Sequence, residues 1–353
     1  MTCCVSSSPS EFRPSQLASS VGSVSKPAGK TVSSRLTTAL RWVGAATALT
    51  ATAGAATAAA ANREIRQFQL HQVEVPLLAP GTLPRGRESF RILHISDFHM
   101  LAHQQLKQEW VAALDTVEPD LVVNTGDNLG EAEGVPGVLR AVDPLLRRPG
   151  VFVFGSNDYF APRPVNPFIY LLGKKRKPSH VELPWRGMRA AFVEHGWGDA
   201  TNARLEFPLT VGPASRPGSG GKLKLAIAGV DDPHHDLDDY DRIAGEPNPA
   251  ADLSIGLSHS PEPAVVDRFA ADGYQLVLSG HTHGGQLCLP GGRAIVTNCG
   301  IDRGRVAGLS RWTERTWLHV TNGLGNSKYV PFRTFCRPSA TLIHVVEKPR
   351  DSA

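Results

Sequence analysis

Gly280-His281-Thr282-His283-Gly284-Gly285 follows an apolar run, Tyr274 to Leu278, that reads as a buried β-strand. His281 and His283 stand two positions apart just past that strand. In extended backbone alternate side chains share a face, so the spacing predicts two imidazoles aimed into one pocket. The flanking glycines allow a sharp turn and a close approach to a ligand. Two neutral imidazoles meeting at one point suit a metal, provided carboxylates arrive from elsewhere in the chain. Without them the stretch is a polar loop with two exposed histidines.

Carboxylates do arrive, and from corresponding places. Phe90 to Ser96 reads as a strand ending in Asp97-Phe98-His99, with Asp97 and His99 again at i and i+2. Leu106, Trp110, Ala113, Leu114 and Val117 mark an amphipathic helix. Asp120 to Thr125 is the next strand and ends in Gly126-Asp127-Asn128. Val135 to Leu146 repeats the helical pattern, and Val151 to Phe154 is a strand ending in Gly155-Ser156-Asn157-Asp158. Strand, helix, strand, helix, strand implies right-handed crossovers and a parallel sheet. Ligands of such sheets bind beyond the carboxyl ends of the strands, where all these polar clusters fall.

Further strands are expected at Leu223 to Val230, ending in Asp231-Asp232-Pro233-His234-His235, and at Leu253 to Leu257, ending in Ser258-His259. A helix through Val265, Val266 and Phe269 ends at Gly273. Ala294 to Thr297, Thr316 to Val320 and Ala340 to Val346 read as strands of a second sheet. The proline-rich stretch 161–200, with its basic run Lys174-Lys175-Arg176-Lys177, is an excursion over the site, and 213–221 is a loop.

The 353-residue chain has an ordinary globular composition and a net charge of +4, with no basic stripe of the kind that binds nucleic acid. Five cysteines without a Cys-x-x-Cys pair make a poor disulfide framework. Residues 1–34 read as a disordered tail and 63–89 as a linker with an edge strand from Gln67 to Val75. Within 35–62, Trp42 to Ala61 carries no charge over twenty residues, enough to cross a bilayer, though eleven of them are Ala. The segment is an uncleaved signal anchor, a cleaved signal peptide or a soluble Ala-rich helix; the distribution of Lys and Arg around it favours a membrane-anchored protein with its large domain outside the cytoplasm.

Taken together, Asp97-x-His99, Gly126-Asp127, Gly155-Ser156-Asn157-Asp158, His259 and Gly280-His281-x-His283 resemble the motifs of the calcineurin-like metallophosphoesterases. Thr297 to Asp302 and Gly323 to Ser327 look most like the membrane-associated bacterial branch of that family. The resemblance implies an α/β fold over 90–347, a β-sandwich of two mixed sheets flanked by helices. It implies two divalent metals, Mn, Fe or Zn. Asp97, His99 and His283 would hold the first, His259 and His281 the second, and Asp127 would bridge them. It also implies hydrolysis of a phosphodiester or pyrophosphate, small or lipid-linked, by a hydroxide held between the metals. Phosphomonoester hydrolysis, or a metal-binding scaffold without turnover, are the alternatives.

One cluster departs from the family pattern, Gly-Asn-His-Asp or -Glu. Ser156 stands where the family has its metal-binding Asn, and Asn157 where it has a histidine that assists the leaving group. We expect Asn157 to serve as the ligand, because carboxamide oxygens suit such sites. His234 and His103 are candidates for the missing proton donor; we take His234, at a strand end, as the catalytic candidate.

Overall fold

The computed structural model describes residue 42 and residues 59–164, 179–211 and 221–350. All but residue 42 belong to one compact unit, Ala55–Ala353. The 1–34 tail, nearly all of Trp42 to Ala61, the run Lys174 to Lys177 and the loop 213–220 lie outside the described residues. Among the described residues no helix is long and apolar enough to cross a membrane.

In chain order the elements are β1 (Gln69–Leu78), β2 (Phe90–Ile95), α1 (Gln105–Ala113), β3 (Leu121–Asn124), α2 (Val135–Val142), β4 (Gly150–Phe152), α3 (Ser156–Tyr159), α4 (Trp185–Glu194), β5 (Gly198–Asp199) and β6 (Ala203–Val211). There follow β7 (Gly221–Gly229), β8 (Leu253–Leu257), α5 (Pro263–Asp272), β9 (Leu276–Ser279), β10 (Cys288–Leu289), β11 (Arg293–Ala294), β12 (Gly308–Arg311), β13 (Trp317–Val320) and β14 (Ser339–Glu347).

They build two mixed six-stranded sheets, β1-β14-β2-β3-β4-β5 and β12-β13-β9-β8-β7-β6. The period-two alternation of the strands sorts their side chains between layers. Phe90, Ile92, Leu121 and Val123 point between the sheets, where they meet Leu225, Ile227, Ile255, Leu276 and Leu278. Leu93, Ile95 and Val122 face the other way, into a layer with Val111, Val138 and Phe192 from the helices. On the far side of the second sheet Val277 packs with Val266 and Phe269 of α5, which ends at Gly273 in left-handed backbone. The result is the expected sandwich of two sheets between helices.

Some expectations need correcting. Ala340 to Val346 is not in the second sheet: β14 pairs antiparallel with β2 and parallel with the edge strand β1, inside the first. An apolar alternation marks a strand but not its partner. Ala294 to Thr297 forms no full strand; only Arg293–Ala294 pairs, in a two-stranded ribbon with β10. β6 and β12, the outer strands of the second sheet, have no counterpart in the sequence reading.

Strands β2, β3 and β4 run parallel, as do β7, β8, β9 and β13. The loops after their carboxyl ends carry the Asp97-x-His99, Gly126-Asp127, Gly155 to Asp158, His259 and Gly280 to His283 motifs. Because β13 runs with β9, its following loop, Asn322 to Gly325, opens there too.

Candidate metal centre

The loops after β2, β3, β8 and β9 bring Asp97, His99, Asp127, His259 and His283 together, all nearly inaccessible to solvent. Asp127 lies in the middle. Its Oδ2 is 3.5 Å from His99 Nε2 and its Oδ1 is 3.4 Å from His259 Nε2, one oxygen to each side. His283 joins the first side, with its Nε2 3.2 Å from His99 Nε2 and 3.9 Å from Asp97 Oδ1. His281 joins the second: its ring centroid lies 5.2 Å from that of His259.

The two histidines of the opening motif therefore do not share a face. The backbone is not extended there: His281 has φ 68° and His283 φ 51°. Asp97, His99 and Asp127 are likewise left-handed, at φ 53°, 40° and 56°. Side chains with a Cβ avoid this region, so five such residues at one site mark strain held by the surroundings. The cause is local. Gly280 lies so close to Ser96 and Asp97 that a Cβ would strike both, and His281 N donates to Asp97 Oδ1 and Oδ2 at 3.1 Å each. The chain must turn at once.

Around these side chains stands a supporting set. Thr125 O lies 2.7 Å from His259 Nδ1, which turns Nε2 towards Asp127. Asn157 donates to Asp127 twice, from its backbone N–H to Oδ1 at 2.7 Å and from Nδ2 to Oδ2 at 2.8 Å. Ser156 is buried beside it in the first turn of α3. Asp158 accepts the N–H groups of Asp127, Asn128 and Gly155 and so holds the Gly126-Asp127 turn to the next loop. Lys107, on α1, is buried and donates to Phe98 O at 2.6 Å, fixing the turn between Asp97 and His99. Arg333 is wholly buried behind His283.

Burial keeps the rings of His99, His281 and His283 uncharged, whereas at His259 the pull of Asp127 overcomes burial and raises the imidazole well above its ordinary value. Burial lowers His99 to about 4 and His281 to about 3, and His283 lies well below the usual imidazole value, helped by its neighbours His99 and Arg333. Burial raises Asp97 to about 6, against the pull of His259. Burial would also raise Asp127, but His259 and His99 outweigh it and the carboxyl sits well below its ordinary range. Uncharged imidazoles and ionised carboxylates are the forms that bind metal, so a cation held here would take the place of the proton that Asp127 favours on His259.

The residues fit a metal on their own chemistry. The buried ring nitrogens His259 Nε2 and His281 Nε2 have no hydrogen-bond partner. Among the described residues, two groups offer ligand atoms within 4.8 Å of one another: Asp97, His99 and His283; and Asp97, Asp127 and His259. The donors are imidazole and oxygen.

Of the remaining candidates, His234 is exposed in the turn after β7, its ring centroid 5.1 Å from that of His281, at the rim of the site. His103 is exposed in the turn before α1, and no contact joins it to the cluster. Lys107 and Arg333 escaped sequence reading. A buried Lys at the start of an amphipathic helix reads as solvent-facing, and a lone Arg between Phe332 and Thr334 carries no pattern.

Buried aspartates and histidines gathered over the carboxyl ends of two facing sheets define a metal-dependent phosphoesterase. The chain belongs to the calcineurin-like phosphoesterase family, whose sequence model matches residues 90–285. It is 28% identical over 271 residues to the uncharacterized protein YpbG of Bacillus subtilis, covering 75% of this chain and 84% of that one. It is 28% identical over 291 residues to a bovine (Bos taurus) protein named "transmembrane protein with metallophosphoesterase domain", covering 78% of this chain and 57% of that one. To the phosphodiesterase YaeI of Escherichia coli it is 34% identical over 105 residues, 29% of this chain and 36% of that one.

Proposed function

We propose that the protein hydrolyses phosphodiesters or pyrophosphate-linked groups at a centre of two divalent metals. The observation that carries this reading is the placement of Asp127, with one carboxylate oxygen towards His99 and the other towards His259. A single carboxylate so placed would serve two cations and offset part of the charge of both. Asp97, His99 and His283 would hold one metal; His259, His281 and Asn157 would hold the other. Asn157 spends its Nδ2 on Asp127, which leaves its carboxamide oxygen as the donor. The imidazole and oxygen set admits Mn, Fe or Zn.

When bound, such a pair of cations polarises a phosphoryl group and activates water. The chain's own residues do the rest. Thr125 and Asn157 hold His259 and Asp127 in one orientation, so little reorganisation is needed as charge develops. His234 would pass a proton to the departing oxygen, a role supported by its exposure and by its ring lying 5.1 Å from that of His281. The name of YaeI supports the diester reading. The Ala-rich 35–62 segment would anchor the domain outside the cytoplasm, near lipid-linked substrates, and the bovine relative's printed name supports a membrane setting.

Metal content measured together with hydrolysis of bis-para-nitrophenyl phosphate tests the proposal. The wild type should carry two metals and turn over; Asp127→Asn should lose both properties, with activity down by at least about 10²-fold. Two bound metals without turnover on any phosphoester, monoester or diester, would leave only a scaffold.

A further inference from the structure

Arg333 poses an electrostatic question. Its side chain is 0% exposed, a position a cation adopts only when most of its donors are satisfied; here both terminal nitrogens have partners and Nε has none. Its partners are chiefly carbonyl oxygens. Nη2 donates to Asn322 O at 2.9 Å, Gly323 O at 3.3 Å and Gly325 O at 2.6 Å, and lies 3.2 Å from His283 Nδ1. Nη1 donates to His283 O and Cys336 O, both at 3.3 Å. Charge alone argues against this placement, because a guanidinium repels a dication at the neighbouring cluster. What the group supplies must therefore be geometry.

The geometry joins two ligand segments. One is His283 itself. The other is reached through the loop after β13. Gly323 lies so close to Asp97, and Gly325 to Phe98 O, that neither could carry a Cβ, and Leu324 N donates to Ser96 O at 3.1 Å. Residues 322–325 are thus pressed along the Asp97 turn on one side and gripped by the guanidinium on the other. A planar fork with five donors spans those carbonyls and His283 at once; an ammonium does not.

We propose that Arg333 is the positioning residue of the Asp97, His99 and His283 half of the site, setting the distance between the Asp97 turn and His283. This rests on the metal-binding reading above. It assigns to a residue outside every motif the fit of one half-site and not the other.

The test uses the full chain, stripped of metal and titrated with Mn²⁺ by calorimetry and electron paramagnetic resonance, as wild type, Arg333→Met and Arg333→Lys. The wild type should bind two ions as a spin-coupled pair; a wild type that binds none defeats the metal reading itself, before Arg333 is in question. Arg333→Met should keep one site and weaken the other by about 10- to 100-fold, as loss of outer support does, giving an uncoupled signal at one equivalent. Arg333→Lys should fall between. Unchanged or tighter binding at both sites, or equal weakening of both with the fold intact by circular dichroism, overturns the proposal. If Arg333→Met does not fold, Arg333→Lys carries the same comparison; if neither folds, the residue is a structural strut and the proposal fails.

Discussion

Asn157 grips both oxygens of Asp127, one through its backbone N–H at 2.7 Å and the other through its carboxamide at 2.8 Å. The Asn157 side chain thus bears on the carboxylate that lies between the two halves of the site. A hydrogen bond to a charged group contributes about 1.5–3 kcal/mol. Asn157→Ala should therefore lower kcat/KM for a phosphodiester by about 10- to 100-fold and weaken metal binding. Asn157→Asp should do worse, since it sets a second carboxylate against Asp127. Wild-type metal content and rate in Asn157→Ala would remove Asn157 from the site.

His234 leads to a different measurement. If its imidazole protonates the leaving oxygen, His234→Ala should hardly affect aryl esters with acidic leaving groups and should slow alkyl esters by about 10²-fold or more. The plot of log rate against leaving-group pKa should become steeper in the variant. Parallel plots for the two proteins would assign the proton to another group.

A buried pair behind the site sets the response to acid. His94 on β2 and His319 on β13 bring their Nδ1 atoms to 2.9 Å, one from each sheet, and His94 Nε2 lies 3.0 Å from Thr125 Oγ1. Burial lowers His319 to about 3, and burial with the neighbouring His319 holds His94 well below the usual value. In the unfolded chain both titrate near 6.5. Below that pH the unfolded chain takes up protons that the folded one refuses, so stability falls as pH falls. From about pH 7 to pH 5 the loss is about 2 kcal/mol for His319, and His94 adds to it in the same direction. The melting temperature of His319→Asn should fall less over this range than that of the wild type, in metal-loaded protein. Equal slopes would mean that His319 titrates freely in the fold.

Metal removal should destabilise the domain as well as silence it. The proposed centre would bind metal only when folded, so saturating Mn²⁺ at about 100 times its dissociation constant should add about 2.7 kcal/mol per site. Chelation should lower the melting temperature of the wild type and leave that of Asp127→Asn nearly unchanged. An equal drop in both would place the stabilising metal elsewhere.

The residues of the candidate centre were legible because each follows the end of a strand, and strand, motif and helix alternate with unmistakable apolar patterns. Asp97, Asp127, His259 and His283 needed only that placement to be drawn together. What was not legible depends on contacts far apart in the chain. The left-handed backbone at His281 follows from Gly280 pressing on Ser96. The place of β14 beside β2 follows from sheet pairing that alternation does not encode. Arg333 matters because β13 happens to run parallel to β9 and opens its loop at the same edge, and neither local propensity nor period carries that information.

The five left-handed residues, Asp97, His99, Asp127, His281 and His283, carry a consequence for how robust the protein is. Each costs roughly 1–2 kcal/mol relative to ordinary backbone. The sandwich thus tolerates a penalty concentrated in the very turns that do chemistry. A sequence optimised only for heat resistance would drift towards glycine or asparagine at those places, gaining toughness as it lost its purpose.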